Sequence, residues 1–378
     1  RRISAIMVIL FLINPFLGVL LGFSFLVLSK REIIPFKLIA IIFSIFLGLI
    51  NIFKNREEGD IVSYLRYFDF AYENSFIDFL SAFQIEPLFY IFTFLSSKLF
   101  LGNFSFFILI CTFIMYYLLS MGIINFYKRL DLPNSLLKIS LISVFFFPLI
   151  FTWSFHLLRQ ILAFSLFINF IIIYITKHKI NYFLIVSAVL THTSIFLYAP
   201  IMIYYFIIRF YTKTKAIILS LLISILISLT YASIITKFEY VNNTVTRISN
   251  SNFNDGLDIN QTILFIVYIL FIVCIYKWIK IKQSTQILLA ITILTSLIII
   301  ATSTFAPLIS YRFAVNIYML IPFVLYLFTD KRLFKTKVFL VIFSLSIFIW
   351  FNYYLANGPW DYGNLDNIYF NHFFNNFY

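Results

Sequence analysis

Long apolar runs separated by short polar breaks organise the chain from residue 4 to residue 355. A helix crossing the hydrocarbon of a bilayer needs about 20 apolar residues. On that length the pattern predicts spans near 4–28, 34–53, 103–127, 134–152, 156–176, 180–192, 193–211, 216–236, 261–281, 285–305, 311–329 and 337–355. The run 180–192 is short, so with 193–211 it reads as a re-entrant or tilted hairpin. Residues 4–28 are too long and too weakly punctuated for a cleaved signal peptide. The fold class is therefore an all-α polytopic membrane protein with eleven or twelve transmembrane helices, forming one integral membrane domain over 1–378.

One segment follows a different period. Between 54 and 85, Leu65, Phe68, Tyr72, Phe76, Phe79 and Phe83 recur at steps of three and four, while Arg66, Asp69 and Glu73 occupy another face. That spacing predicts an amphipathic helix lying on the membrane surface. The following stretch EPLFYIFTFLSSKLF, residues 86–100, is apolar but short, and reads as a dip into one leaflet.

Composition supports the membrane assignment: 62% of the residues are hydrophobic and only 11% are charged, against about 25% charged in soluble domains. The 51 Phe reflect a biased composition, so no single Phe carries a functional reading. Cys111 and Cys274 sit inside apolar runs and point to neither a disulfide framework nor a metal site. A net charge of +13 in a soluble protein would indicate nucleic acid; here its distribution matters more. If both termini face outward, the inner loops collect 18 basic residues against Glu32, Asp131 and Asp330, a net of +15. The outer side keeps 10 basic and 12 acidic residues, a net of −2, and the two sides sum to the chain's +13. This is the positive-inside bias; only Arg1 and Arg2 fall on the wrong side. The segment 54–102, the loop 237–260 and the tail 356–378 are then external, and the last two are rich in Asn, Tyr and Asp, which suit sugar hydroxyls and apolar sugar faces.

Against this background the stretch WSFHLLRQILAF, residues 153–164, stands out. An arginine at mid-helix in a bilayer costs about 2.5–3.5 kcal/mol on the lenient insertion scale. His156 and Arg159, three residues apart, are expected on one face of the first turn of an outward-starting span. Arg312, in SYRFAVNIYML, is expected one residue into another such span, and His192 at the outer tip of the short hairpin. Snorkelling explains any one of these groups; a common level explains them together. Guanidinium groups bind diphosphate oxygens bidentately and keep their charge at any pH, and they stabilise charge developing on a departing diphosphate. Arg159 is therefore read as a phosphate ligand at the mouth of a membrane cavity.

The stretches REEGDIVSYLRYF, EPLFYIF, LLRQILAFSLF, LTHTSIFLYAP and SYRFAVNIYML, in that order, resemble the EpsG-like and Wzy-type polysaccharide polymerases. The matching positions are Arg56, Gly59-Asp60, Tyr64, Glu86, Arg159-Gln160, His192 and Arg312, within roughly residues 34–325. The resemblance implies a GT-C-like architecture and a glycosyltransferase in the bacterial inner membrane, with its active site facing the periplasm. It also implies donor and acceptor that are both undecaprenyl-diphosphate-linked oligosaccharides, no cofactor, and a chain-length regulator as partner beside the lipid bilayer, with no nucleic acid. On this reading Arg159, Arg312 and Arg56 hold the diphosphate, and Tyr64, His156, Gln160 and Tyr311 orient sugars.

General-base help for the attacking hydroxyl comes from a carboxylate or imidazole, and Asp60, Glu86 and His192 are the candidates. Each also has a bland reading: Asp60 as a partner of Arg56, Glu86 as an acid complementing a helix dipole ahead of Pro87, and His192 as a satisfied group at a turn. A flippase for the same lipid and an O-antigen ligase are the alternatives. No internal repeat of the transporter kind is visible, and the polarity is one-sided. A membrane acyltransferase would carry a His in an early apolar span, and none precedes residue 103.

Overall fold

The computed structural model describes residues 2–29, 34–54, 60–83, 85–207, 219, 222, 267, 269–277, 283–303, 307–328 and 337–357. Among these residues every regular element is helical: α1 Arg2–Ile13, α2 Pro15–Leu28, α3 Phe36–Ile52, α4 Asp60–Glu73, α5 Phe76–Ser81, α6 Pro87–Leu99, α7 Phe104–Arg129, α8 Asn134–Phe146, α9 Pro148–His156, α10 Leu158–Lys177, α11 Tyr182–Thr191, a 3₁₀ helix Thr193–Tyr198, α12 Ala199–Ile207, α13 Gln283–Thr302, α14 Pro307–Phe328 and α15 Lys337–Asn357. Five of them are long and apolar enough to cross a membrane, or six if α8 and α9 count as one bent span. The protein is thus an all-α polytopic membrane protein. The predicted spans at 103–127, 156–176, 285–305, 311–329 and 337–355 correspond to α7, α10, α13, α14 and α15. The expected span 216–236, nearly all of it, and the expected loop 237–260 lie outside the described residues, as does the tail beyond Asn357.

The first apolar run departs from expectation. It is not one span but two helices meeting at Asn14, whose side-chain oxygen accepts the Leu17 N–H at 3.0 Å and caps α2, with Pro15 opening the helix. A Cβ on Gly18 would lie 2.7 Å from the Phe11 Cα, whereas residues seven apart in one helix are separated by about 10.5 Å. The two helices therefore fold back on each other, and glycine at 18 is what permits the contact. The turn brings Arg2 to the end of the pair that carries Ser29, the side of the basic loop at 30–37, so Arg2 stops being an exception to the charge bias. Lys138, at the start of α8, donates to the Ser29 carbonyl at that same end.

The described residues form two compact units, Arg1–Thr193 with Ile321–Tyr378, and Ser194–Leu320. In the first, α3 packs against α7 closely enough that a Cβ on Gly48 would sit 3.0 Å from the Leu109 carbonyl oxygen. Asn51 cross-links this layer, donating to Thr112 Oγ1 on α7 and Ser154 Oγ on α9, both at 3.0 Å. α8 and α9 meet at a 46° bend where Pro148 opens α9. In the second unit, a buried Tyr198 hydroxyl bonds Thr295 and accepts from Asn316, each at 3.0 Å.

The amphipathic segment also differs from the predicted pattern. It is two helices, because Ser75 ends the first and caps the second, accepting the Asp78 N–H. The buried stripe of α4 is Ile61, Tyr64, Phe68 and Ala71, while Tyr72 and Phe76 are exposed. That stripe packs with Phe79, Phe89, Tyr90, Phe104, Phe107, Phe155 and Leu158. Its apolar face is thus covered by protein, and Arg66, Asp69 and Glu73 stay exposed as expected. α6, of 13 residues, rises about 20 Å, short of the roughly 30 Å hydrocarbon core.

Candidate functional site: a buried carboxylate shared by three segments

α4, α5 and α6 present one aromatic cluster to the start of α10, and the polar groups of the site sit at its edge. α10 begins at Leu158 because Leu157 leaves helical geometry, with φ −112° and ψ 41°. Arg159 is therefore in the first turn of α10, as expected. His156 is not: it ends α9, so the break at Leu157 separates the two residues and they do not share a helix face. His156 is buried, with its ring edge-on to Trp153 and Phe155.

A cation in a first helical turn meets the positive end of the helix dipole, so Arg159 needs an anion. It finds Glu86: Arg159 Nη1 donates to Glu86 Oε2 at 2.7 Å and to the Tyr90 hydroxyl oxygen at 3.1 Å. The guanidinium lies 5.7 Å from the Tyr64 ring centroid and 5.9 Å from those of Phe89 and Tyr90, within cation–π range. Glu86 itself stands at the N-cap position of α6 without capping it, in the left-handed region with φ 63° and ψ 47°. A non-glycine residue there costs on the order of 1–3 kcal/mol and persists only where the surroundings over-determine it. The helix-dipole reading of Glu86 thus describes its position but not its side chain, which turns away to the arginine.

The other oxygen, Glu86 Oε1, accepts the Thr193 backbone N–H at 3.1 Å and the Thr193 hydroxyl at 3.3 Å. His192 Nδ1 stands 3.7 Å from the same oxygen. This contact follows from local structure: α11 ends at Thr191, His192 is extended, and the 3₁₀ helix begins at Thr193, leaving the Thr193 N–H unclaimed by a preceding helical turn. Burial of Glu86 acts to raise its pKa. His192, Arg159 and the two hydrogen bonds from Thr193 outweigh that and hold the carboxyl below its ordinary value. The site therefore keeps an ionised carboxylate under protein cover, with one cation beside it and an imidazole within reach.

Of the residues expected from sequence, the fold brings Glu86, Arg159, His192 and Tyr64 together. Asp60 opens α4 one turn ahead of Tyr64, on the same helix face. Gln160 follows Arg159 and is buried. Tyr311 and Arg312 occupy the second turn of α14, in the second unit, rather than the first turn of a span. Arg56 lies outside the described residues. Three contributors escaped the sequence reading: Tyr90, Phe89 and Thr193. Their signals were present, Phe89 and Tyr90 at the third and fourth positions after Glu86 and Thr193 next to His192. Lys54 escaped it too: it is buried just after α3, donates to the Thr152 carbonyl at 3.4 Å and lies 4.9 Å from the centre of the Phe155 ring.

Comparison with known proteins adds one finding. A family model, that of the EpsG family, matches residues 37–366, which include every residue of the site. No curated protein and no solved structure matches the chain. The match runs through most of the sequence, from α3 to beyond α15, and on it the chain belongs to the EpsG family.

Proposed function

We propose that the protein is a membrane glycosyltransferase that polymerises undecaprenyl-diphosphate-linked oligosaccharide repeat units on the periplasmic face of a bacterial inner membrane. Membership of the EpsG family supports the polysaccharide-polymerase class, and the charge bias of the loops supports the orientation. The observation that carries the reading is Glu86, a buried carboxylate fixed by groups from α10 and from the junction after α11. Removing an ion pair of this kind from water costs several kcal/mol per ion, a cost that stability alone does not require.

In the reaction the acceptor hydroxyl attacks the anomeric carbon of the donor. Its proton passes to a Glu86 oxygen as the new C–O bond forms. The bond from the anomeric carbon to the diphosphate oxygen breaks, and its electron pair leaves with undecaprenyl diphosphate. Arg159 stabilises the charge growing on that diphosphate. Tyr64, Phe89 and Tyr90 are buried and back the Arg159 guanidinium rather than facing a sugar. His192, 3.7 Å from Glu86 Oε1, and Asp60, at the head of α4, are the other candidate bases.

The test is incubation of the purified protein with a synthetic undecaprenyl-diphosphate repeat. A ladder of products lengthened by whole repeats supports the reading. Transfer only to a lipid A-core acceptor would make it a ligase, and movement of intact substrate across vesicles without bond formation would make it a flippase.

A further inference from the structure

We infer that Arg159 is a shared ligand: it holds Glu86 in the resting protein and is handed to the donor's diphosphate when the donor binds, which frees Glu86 to act as base only in the loaded site. The inference rests on the function proposed above and adds an order of events to it.

The relative exposure of the two partners sets the direction. The Arg159 side chain is 20% exposed and that of Glu86 is 7% exposed, so an arriving anion meets the guanidinium before the carboxylate beneath it. The diphosphate and Glu86 are two anions competing for one cation, and Arg159 Nη1 already serves both Glu86 and Tyr90. Glu86, for its part, does not depend on the arginine for its position. Oε1 is held by the N–H and hydroxyl of Thr193, and its backbone is set by the left-handed turn into Pro87. A carboxylate anchored by one oxygen can lose the partner of the other and stay in place.

The surroundings of the arginine also permit the move. Its side chain is already 20% exposed, so a short rotation toward solvent exchanges the carboxylate for phosphate oxygens. Once the arginine leaves, an influence that lowers the Glu86 pKa is gone and burial, which raises it, is less opposed. The carboxylate becomes a stronger base at the step that needs one. Without donor, the same group stays paired and weakly basic, which protects the site from activating water. Thr193 is in this scheme a positioning residue that keeps Glu86 on station through the exchange.

Inorganic pyrophosphate serves as the probe, with binding measured calorimetrically on the purified protein. A site whose cation is occupied by Glu86 binds anions at a reduced apparent affinity, in proportion to the fraction of time the cation is released. Glu86→Gln is therefore expected to bind pyrophosphate roughly tenfold more tightly than wild type. Arg159→Ala should lose binding, and Glu86→Gln in an Arg159→Ala background should regain none of it. Tightening that persists in the double variant would show a general charge effect and overturn the handover. So would unchanged or weaker binding in Glu86→Gln, which would leave Arg159 as a diphosphate ligand and the polymerase reading intact. Glu86→Asp, which keeps the charge but draws it back, gives a second reading: intermediate tightening supports the exchange, and wild-type affinity contradicts it. Absence of pyrophosphate binding to both wild type and Glu86→Gln would remove the diphosphate site itself. Ladder formation, measured separately, then decides whether the polymerase reading falls with it.

Discussion

Arg159→Ala is expected to cost stability as well as activity, and the size of that cost follows from what the arginine leaves behind. Glu86 is 7% exposed, so truncating its partner strands a carboxylate that water reaches poorly. Breaking a buried ion pair on one side costs about 3–5 kcal/mol. Two features move this case to the lower end: the Arg159 side chain is 20% exposed, and Thr193 still donates twice to Oε1. The expected loss is about 3 kcal/mol, a fall in apparent melting temperature of roughly 4 °C for a chain of 378 residues. Glu86→Gln, which leaves a partly exposed arginine beside Tyr90, is expected to cost only about 1 kcal/mol. Combining the two removes the stranded charge, so the double variant should be more stable than the summed losses by about 2 kcal/mol. The assay is thermal unfolding of all four proteins in the same nanodisc, followed by tryptophan fluorescence. Strict additivity, or an Arg159→Ala protein as stable as wild type, would refute the reasoning that the pair is buried and mutually dependent.

Other outcomes follow from particular contacts. Thr193→Val removes the hydroxyl that donates to Glu86 but keeps the N–H; polymer output is expected to fall several-fold with unchanged folding, and Thr193→Ser should restore it. Glu86 has a carboxyl held below its ordinary value, so kcat/KM should be maintained above that range and lost as pH falls through the depressed value. In Arg159→Ala the acid limb should move upward, and a limb that stays put would separate the arginine from the carboxylate's ionisation. Gly18→Val places a branched side chain against the Phe11 backbone; reduced thermal stability is expected, and a neutral effect would contradict the folded-back α1–α2 pair. Cysteine placed at Asn74, beside the exposed turn between α4 and α5, should react with an impermeant maleimide in intact spheroplasts; protection would place that turn on the inner side.

What the sequence revealed and what it hid have physical causes. Arg159, Glu86 and His192 were visible because a charge in an apolar run is costly and so stands out. Their union was not, since Arg159 and Thr193 reach Glu86 across 73 and 107 positions and no local pattern encodes such contacts. The long spans α7, α10, α13, α14 and α15 were legible from length and apolarity alone. Two breaks were missed for opposite reasons. Asn14-Pro15 was a readable cap-and-start signal lost inside a uniformly apolar run. Leu157 carries no breaker residue at all, so the separation of His156 from Arg159 had no local cue. The predicted stripe was right at Phe68 and Phe79, which are buried, and wrong at Tyr72 and Phe76, which are exposed, because a chain with 51 Phe supplies aromatic residues at helical spacing on several faces. Burial of Ile61, Tyr64, Phe68 and Ala71 was decided by what packs against them.

The most direct test of the central claim is single-turnover glycosyl transfer by Glu86→Gln, with saturating synthetic lipid-diphosphate donor and acceptor. The amide preserves the shape of the side chain and removes the base, so a group that acts only in the transition state should lose rate while donor binding remains. The account predicts a loss on the order of 10²–10⁴ in the rate of bond formation, with donor affinity tighter than wild type. Glycosyl transfer at the wild-type rate would contradict it, and would move the base to Asp60 or His192.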